Sequence, residues 1–306
     1  MIHYLIRRFL QSLVVLVAVT LCAFLLVRLA PGDPARLLLP EEATEEQIEL
    51  MRERLGLDRP LPVQYWNYVK GVVQLDLGTS MTYKQPAATI IFQRVPNTVK
   101  LAVATIMVGC MIAVPLGVIA GTHRGSAIDL FSMLFALLGQ SMATMWLGVL
   151  LIWIFAVNLQ MFPSTGTGGI EYLVLPVLSM AYPMSATTTR IARSGMVDTL
   201  SEDYIVATYA KGVSRFSVYT KYALRNALIP VVTMLGLNLG IFLSGSVVTE
   251  TLFGWAGMGQ LLNQSVLTRD YPMVQSLLLI SAILFTIINF LVDIVNSFID
   301  PRLALR

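Results

Sequence analysis

The sequence predicts an all-α polytopic membrane protein with about six transmembrane helices. Hydrophobic residues make up 56% of the chain and charged residues only 13%, whereas an average soluble domain carries about 25% charged residues. The apolar residues also occur in blocks of roughly 20, the length that crosses a bilayer core of about 30 Å. The alternating pattern of a membrane β-strand, which repeats over about ten residues, is absent.

Six segments are long and apolar enough to be predicted as spans. The first is interpreted as a retained anchor, because its apolar run is long and ends without the small-residue cleavage site of a secretory signal. The third is unusually long and is expected to be tilted or broken near Gly139–Ser141. The predicted spans are Phe9–Leu29, Val99–Thr122, Leu130–Val157, Tyr172–Ile191, Ile229–Glu250 and Val274–Phe298.

Lys and Arg in the short loops predict the orientation of the spans. Basic residues precede the first span, follow the sixth, and concentrate between the fourth and the fifth. The loop Asn158–Glu171 has none, and Thr251–Pro272 has only Arg269. Both termini are therefore expected in the cytoplasm. The chain would comprise an N-terminal anchor span (1–30), an external cap (31–97) and a membrane core (98–306) with a cytoplasmic loop at 192–228.

The external cap contains two predicted helical segments. Thr44–Gln47 has the pattern of a capping box, with acidic residues in the first turn of the helix that follows. The second segment, Pro62–Leu75, is expected near a membrane surface, where amphipathic rings are favoured. The residues of this segment that would lie at the membrane surface are Tyr65, Trp66, Tyr68 and Val69. The cap is interpreted as a seal over the outer ends of the spans, as a landing site for an external delivery protein, or as both.

Small residues recur at four-residue steps in two of the predicted spans. This spacing lets helix backbones approach closely, so tight helix packing is the first interpretation and a backbone-lined pore wall is the alternative. The second span has Gly109, Ala113, Gly117 and Gly121, and the fifth has Gly236, Gly240 and Ser244.

The fifth span also carries polar side chains. At membrane depth, such groups normally face protein or a water-filled cavity. We therefore predict a translocation path that is lined partly by this span. The candidate path residues are Asn238, Ser244, Ser246, Thr249 and Glu250.

The polar and basic segment Ser201–Pro230 separates the fourth and fifth apolar blocks. Ser201 is the expected N-cap of a helix over Tyr204–Lys211, Gly212 fits a left-handed position after it, and Ser214 can cap a second helix. A lone helix of about ten residues is marginal in water, so it needs a packing partner. The membrane face of the protein could supply one side and a separate protein the other; the alternative is a rigid connector.

Eight short motifs, spread over nearly the whole chain, match those of a known family in the same order. They are Leu29–Pro34, Leu55–Leu61, Leu75–Ser80, Thr208–Val213, Leu224–Pro230, Thr249–Phe253, Arg269–Pro272 and Asp300–Arg302. Together they resemble the dipeptide/oligopeptide/nickel branch of ABC-importer permeases, also described as binding-protein-dependent transport inner-membrane components. Within that branch, the length and the short loop Asn158–Glu171 look most like the glutathione/dipeptide-type permeases.

The generic loop motif of these permeases, Glu-Ala-Ala-x-x-x-Gly, is only partly matched. Val206 stands in place of the Glu, Thr208 in place of the second Ala, and Arg225 where the general motif has Pro. Any specific role of the motif's Glu is therefore in doubt here. The match to the branch-level motifs is unaffected.

The resemblance implies a type I importer fold and one half of a pore. Such permeases pair with a second, similar permease, with two ATP-hydrolysing subunits inside and with an external substrate-binding protein. The implied cargo is a small peptide, whether a dipeptide, an oligopeptide or a glutathione-like molecule. A nickel chelate is the alternative within the same family.

The resemblance also implies that the helix around Asp203–Val213 is a coupling helix seated in a groove of one ATPase. Closure of the ATPases would move it and switch the pore between inward- and outward-facing states, as a rigid-body element with two states. Its small residues would let the helix backbone approach the ATPase closely, and its charged residues would fix its position through polar contacts. The implied coupling residues are Glu202, Asp203, Tyr204, Ala207, Ala210, Lys211, Gly212, Val213 and Arg215.

Enzymatic motifs are absent from the sequence. It has no Gly-x-x-x-x-Gly-Lys-Ser/Thr loop, no His-Glu-x-x-His and no Gly-x-Ser-x-Gly. We therefore expect no catalytic residue, cofactor, metal site or nucleic-acid partner, and ATP hydrolysis on separate subunits. The expected location is the bacterial cytoplasmic membrane. The rivals are a non-transporting scaffold and an ion-coupled secondary transporter, which would need inverted repeats that the two halves do not obviously show.

Overall fold

The computed structural model describes residues 2–29, 36, 43–54, 56 and 58–299. Within these residues the chain forms helices joined by loops, and an isolated bridge pairs Thr79 with Pro86. The helices are α1 (Ile2–Leu29), α2 (Glu45–Arg54), α3 (Leu61–Val73), α4 (Ala87–Thr122), α5 (Ala127–Ser141), α6 (Thr144–Asn158), α7 (Ile170–Leu200), α8 (Asp203–Ala210), α9 (Arg215–Ala227), α10 (Ile229–Leu243), α11 (Val247–Leu252), α12 (Met258–Leu267) and α13 (Tyr271–Ile299).

Three of these helices are long and apolar enough to cross a membrane alone. The qualifying stretches are Ile6–Leu25, Ala87–Thr122 and Tyr271–Val295. Two bent pairs, α5 with α6 and α9 with α10, meet the same criterion together, which raises the total to five across the described residues. The predicted span Tyr172–Ile191 lies in α7, which is not among them. The all-α membrane fold is confirmed, and the number of spans and the side of the termini stay predictions.

Two predicted spans are broken rather than continuous. The third turns by 100° between α5 and α6, at Met142 and Ala143, just beyond the predicted break. The fifth was predicted as one helix over Ile229–Glu250, which is wrong, because α10 ends at Leu243 and α11 starts at Val247. Gly245 explains this break, since its φ of +103° is a left-handed conformation that disfavours other residues.

The stripe of small residues on α4 packs tightly against α7. A Cβ atom added at Gly117 would lie 2.5 Å from the Cβ of Ala192, and one added at Gly121 would lie 2.5 Å from the Cβ of Met196. On α10, a Cβ at Gly240 would lie 3.1 Å from the Phe285 ring of α13. These contacts support close helix packing as the role of both stripes.

Two buried carboxylates join segments that are distant in sequence. Asp270, before α13, accepts hydrogen bonds from Ser80 Oγ at 2.5 Å and from the Thr82 backbone N–H at 3.1 Å. Glu250, on α11, accepts from Thr98 Oγ1 at 2.9 Å and from the Gly259 backbone N–H at 2.6 Å. Both belong to matched motifs: Asp270 ties the loop before α4 to the start of α13, and Glu250 ties α11 to α4 and to the start of α12.

The predicted capping box is confirmed in α2. The Thr44 backbone N–H donates to Gln47 Oε1 at 3.1 Å, and the Gln47 backbone N–H donates to Thr44 Oγ1 at 3.4 Å. The division into anchor, cap and core stays a prediction. The motifs Leu29–Pro34, Leu55–Leu61 and Asp300–Arg302 lie wholly or partly outside the described residues.

Candidate functional site

One face of helix α8 is anchored in the body of the protein. Ile205 is fully buried in a cluster with Met196 of α7 and with Val218, Ala223 and Ala227 of α9. Burial of one large apolar side chain contributes about 1.5–3 kcal/mol. This cluster gives the short helix the packing partner that its length requires, while its other face remains open.

Most of the predicted coupling residues are exposed, although Val213 packs against the Ile205 cluster and the Tyr204 hydroxyl bonds to α9. Val213 is half-buried, and the remaining residues are exposed. The exposed set consists of Glu202, Asp203, Tyr204, Ala207, Ala210, Lys211, Gly212 and Arg215. A surface of small and charged side chains is therefore available to a partner.

The start of α8 differs from the predicted one. Glu202, not Ser201, occupies the N-cap position, and it makes no side-chain capping bond. Ser201 instead ends α7, where its Oγ donates to the carbonyl of Asp198 at 2.7 Å. The prediction was wrong because α7 continues to Leu200, into the segment that was assigned to the loop.

The turn after α8 has the predicted form. Gly212 has a φ of +80°, and a Cβ atom added there would meet nothing within 4 Å. Ser214 caps the helix that follows, since its Oγ accepts from the Ser217 backbone N–H at 3.5 Å. The backbone conformation thus favours Gly at position 212, and the space beside it is free for another molecule.

Tyrosine side chains connect α8 to α9. The Tyr204 hydroxyl donates to the carbonyl of Tyr222 at 3.3 Å and accepts from Asn226 Nδ2 at 2.8 Å. Burial raises the pKa of Tyr209, and a hydrogen bond with Tyr219 raises it further. These side-chain contacts hold α8 and α9 as one unit.

Sequence reasoning missed two apolar members of this surface. Phe216, which follows Arg215 in the chain, is 77% exposed, and Val206 on α8 is 62% exposed. Val206 was considered only as a departure from the motif. The signal for Phe216 is an aromatic residue two positions after the Ser214 cap in an otherwise basic segment.

An ion pair holds α5 against α7 below this loop. Arg193 Nε lies 2.5 Å from Asp129 Oδ1, and Arg193 Nη2 lies 2.7 Å from Asp129 Oδ2, so the contact is bidentate. The Gly125 backbone N–H also donates to Asp129, at 2.9 Å. Arg193 is one of the basic residues between the fourth and fifth predicted spans, and the sequence gives no sign that Asp129 is its partner.

A cavity of about 720 Å³ lies beside the break between α10 and α11. It brings together three of the predicted path residues, Asn238, Ser246 and Thr249. The Asn238 amide donates to the carbonyl of Met234 at 2.9 Å, and the Ser246 hydroxyl lies 3.4 Å from the sulfur of Met180. Other lining residues are Thr144, Met145, Pro183, Met184, Thr187, Ile241, Phe242, Gly245, Val247 and Val248.

The other two predicted path residues do not line this cavity. The Ser244 hydroxyl donates to the carbonyl of Gly240, at 2.8 Å, within its own helix. Glu250 is fully buried in the α11–α12 contact described above. Their polar groups are satisfied by protein, so membrane depth alone did not distinguish structural from path positions.

The described residues contain no cluster of three or more His, Cys, Asp or Glu side chains that could hold a metal ion. The two cysteines, Cys22 and Cys110, are both free thiols.

Comparison with known families gives the identity of the fold. The family model for the N-terminal part of the membrane component of binding-protein-dependent transport systems matches residues 1–102. The model for the binding-protein-dependent transport system inner membrane component matches residues 113–305. The chain belongs to this family. It is an ABC-importer permease of the branch that its motifs predicted, a multi-pass inner-membrane protein whose family works with ATPase subunits and a substrate-binding protein.

Full-length relatives support the same assignment. The chain is 41% identical over 306 residues to the glutathione transport system permease protein GsiC of Escherichia coli strain K12, with 100% of both chains covered. It is 40% identical, over the same coverage, to GsiC of Salmonella typhimurium strain LT2.

Solved structures show a similar fold. The permease matches a chain of the inward-facing MetNI methionine ABC transporter with a TM-score of 0.56 at 19% identity, covering 69% of this chain and 96% of that chain. A second crystal form of MetNI matches with a TM-score of 0.54 at 20% identity and the same coverage. At these identities the likeness concerns the fold alone.

Proposed function

We propose that the protein forms half of the translocation pore of an ATP-driven bacterial importer for small peptides, such as dipeptides, oligopeptides or glutathione-like molecules. The observation that carries this proposal is the 41% identity, over the whole of both chains, to a glutathione transport permease. The nickel-chelate importer remains an alternative cargo for the same architecture.

The proposed complex contains a second, similar permease, two ATP-hydrolysing subunits and one external binding protein. The exposed face of α8 is the docking surface for one ATPase, and ATP hydrolysis takes place on that partner rather than on this chain. In this orientation α8 and both chain termini lie in the cytoplasm, and α2 and α3 lie outside. The concentration of Lys and Arg around α8 supports the orientation.

A continuous path of packed elements connects the docking surface to the cavity. Ile205 and Tyr204 fix α8 to α9, and α9 leads directly into α10 across a 48° bend. Helix α10 carries Asn238, which lines the cavity. A movement of α8 that follows closure of the ATPases would therefore tilt α9 and α10 and change the shape of the cavity.

The chemistry of the cavity suits small peptides of varied sequence. Asn238, Ser246 and Thr249 offer amide and hydroxyl groups that can bind peptide N–H and C=O groups. Four methionines, Met145, Met180, Met184 and Met234, supply flexible apolar surface that adapts to different side chains. We assign the cargo path to this lining.

Affinity purification of the tagged chain from its native membrane, with mass spectrometry, tests the proposed assembly. We expect a sibling permease, ATPases and a binding protein to stay bound. The recovered binding protein can then be screened against dipeptides, glutathione and nickel chelates to identify the cargo. Recovery of the chain alone, even after crosslinking, would contradict the proposal and favour a secondary transporter or a scaffold.

A further inference from the structure

Helix α3 packs along the membrane-spanning helix α1. The hydroxyls of Tyr65 and Thr20 share a hydrogen bond of 2.9 Å. The rings of Tyr65 and Phe24 meet edge to face, with their centroids 5.3 Å apart. These contacts fix the depth of α3 relative to α1.

The contact lies within the apolar part of α1 rather than beyond its end. The apolar stretch Ile6–Leu25 has 20 residues, which is about 30 Å of helix and matches the hydrocarbon thickness of a bilayer. Thr20 precedes Leu25 by five residues, or about 7.5 Å along the helix axis. Tyr65 must therefore reach below the surface of the membrane.

The face of α3 that points away from the protein is mainly apolar. At about 100° per residue, Val63, Trp66, Lys70 and Val73 share one face of the helix, and all four are exposed. Trp66 is 69% exposed and Val73 is 78% exposed. The opposite face also carries apolar and aromatic residues, and a helix that is apolar on both faces is typical of a lipid or protein environment.

Helix α2, in the same external segment, shows what a water-facing helix of this chain looks like. Its sequence EEQIELMRER is dominated by charged residues, and among its described side chains Ile48 is the buried one. The contrast between α2 and α3 indicates that their outer faces meet different media.

Helix α1, against which α3 packs, also exposes large apolar residues. Val14, Val17, Leu21 and Leu25 of α1 are exposed large apolar residues at the same end or in the middle of the span. We propose that α3 lies in the outer leaflet, with Trp66 and Val73 in contact with lipid and Lys70 reaching up to the headgroups. Trp is favoured at this boundary, and a Lys side chain can bury its alkyl stem while its ammonium stays hydrated.

This placement revises the expectation from sequence at the level of single residues. Tyr65, Tyr68 and Val69 are half-buried against the protein, and Trp66 alone of the four expected residues is exposed to the surroundings. The proposal does not depend on which cargo is carried. It assigns to lipid a surface that could otherwise be taken for a docking site of the external binding protein.

Site-directed spin labelling of the full transporter in bilayers tests the proposal. In a background with Cys22→Ala and Cys110→Ala, single labels are placed by Trp66→Cys and Val73→Cys, with Glu49→Cys on α2 as the matched control. We expect the spin labels at positions 66 and 73 to collide with oxygen severalfold more often than with a water-soluble nickel chelate. The label at position 49 should show the reverse. The same water-like ratio at all three positions would overturn the proposal.

A label-free measurement guards against disturbance by the spin label. Brominated lipid quenches tryptophans that touch it, so Trp66→Phe should reduce the quenchable fraction of the total fluorescence of the four tryptophans. An unchanged quenchable fraction would contradict lipid contact. So would immobilisation of the labels at 66 and 73 that requires the external binding protein, because protein rather than lipid would then cover this face.

Discussion

Single residues around α8 serve two separable purposes in this structure. Ile205 points into the protein and carries the packing of the helix, whereas Gly212 stands beside open space and sets the backbone of the turn. Val206 and Phe216 are exposed apolar groups beside charged ones. Substitutions can therefore test attachment of the helix and contact with a partner one at a time.

We expect Gly212→Asp to abolish transport while the protein remains in the membrane. The φ of +80° at Gly212 costs an Asp less than most residues, and nothing in this chain occupies the space. Loss should therefore come from the partner side, where the added carboxylate meets the ATPase. Uptake into proteoliposomes and the level of the variant in membranes are the measurements.

Gly125→Asp is the matched control for this variant. Gly125 has a φ of +78° and also has nothing within 4 Å of an added Cβ atom, but it lies in the turn between α4 and α5. Near-normal uptake is expected. Retained uptake in Gly212→Asp, or equal loss in both variants, would contradict the assignment of Gly212 to the docking surface.

A bulky side chain at Asn238 should block the cargo path and leave assembly intact. Asn238→Trp would fill part of the cavity, while Leu237→Trp places the same group on an exposed position of the same helix. We expect uptake to fall strongly in the first variant and little in the second, with ATPase copurifying with both. Normal uptake by Asn238→Trp would remove this part of α10 from the path.

At the scale of helices, the sequence predicted which segments are helical, and roughly where they lie, better than it predicted where a helix is broken. Apolar length located α1, α4 and α13, because a bilayer requires that length. The end of α10 depends on the left-handed conformation of Gly245. From sequence alone, a Gly that packs against a neighbouring helix cannot be distinguished from a Gly that ends a helix. Gly236 and Gly240 pack against α13, whereas Gly245 lies in the break that separates α10 from α11.

The same limit applies to the polar residues of α10 and α11. Asn238, Ser246 and Thr249 line the cavity, whereas Ser244 and Glu250 bond to protein. All five occur in the predicted fifth span, Ile229–Glu250. Only its contacts with Thr98 and α12 separate Glu250 from a path residue, and Thr98 lies 152 residues away in the sequence.

Detaching α8 from its support should uncouple ATP hydrolysis from transport. Ile205→Ala removes a fully buried side chain, a change that costs about 2–5 kcal/mol at a well-packed site. We expect ATPase activity of the purified complex to persist while uptake per ATP falls. The control is Val206→Ala, which trims an exposed neighbour and should leave thermal stability unchanged. Fully coupled uptake in Ile205→Ala would refute a rigid α8–α9 unit.

The Asp129–Arg193 pair should couple α5 to α7 energetically. A hydrogen bond to a charged group contributes about 1.5–3 kcal/mol, and this pair has two such bonds. Asp129→Asn and Arg193→Gln should each lower the thermal stability of the complex, and the double variant should lose less than the sum of the two. Strictly additive losses in thermal unfolding would show that the pair contributes no mutual stabilisation.

For the whole molecule, the ordered motifs were more informative than any single pattern. They predicted the family that the comparisons show, including two motifs whose carboxylates, Glu250 and Asp270, turn out to tie distant segments together. Composition predicted the membrane fold. Neither could show that α8, α9 and α10 form one connected unit, because that depends on which side chains meet in three dimensions.

In the proposed mechanism, movement of the α8–α10 unit drives import at the expense of ATP that a partner subunit hydrolyses. The most direct test is uptake of labelled glutathione and dipeptides into proteoliposomes that contain the complete complex and internal ATP, with ionophores abolishing every ion gradient. We predict uptake that continues while ATP lasts and stops with a non-hydrolysable analogue. Uptake that follows the ion gradient and does not depend on ATP would instead show a secondary transporter.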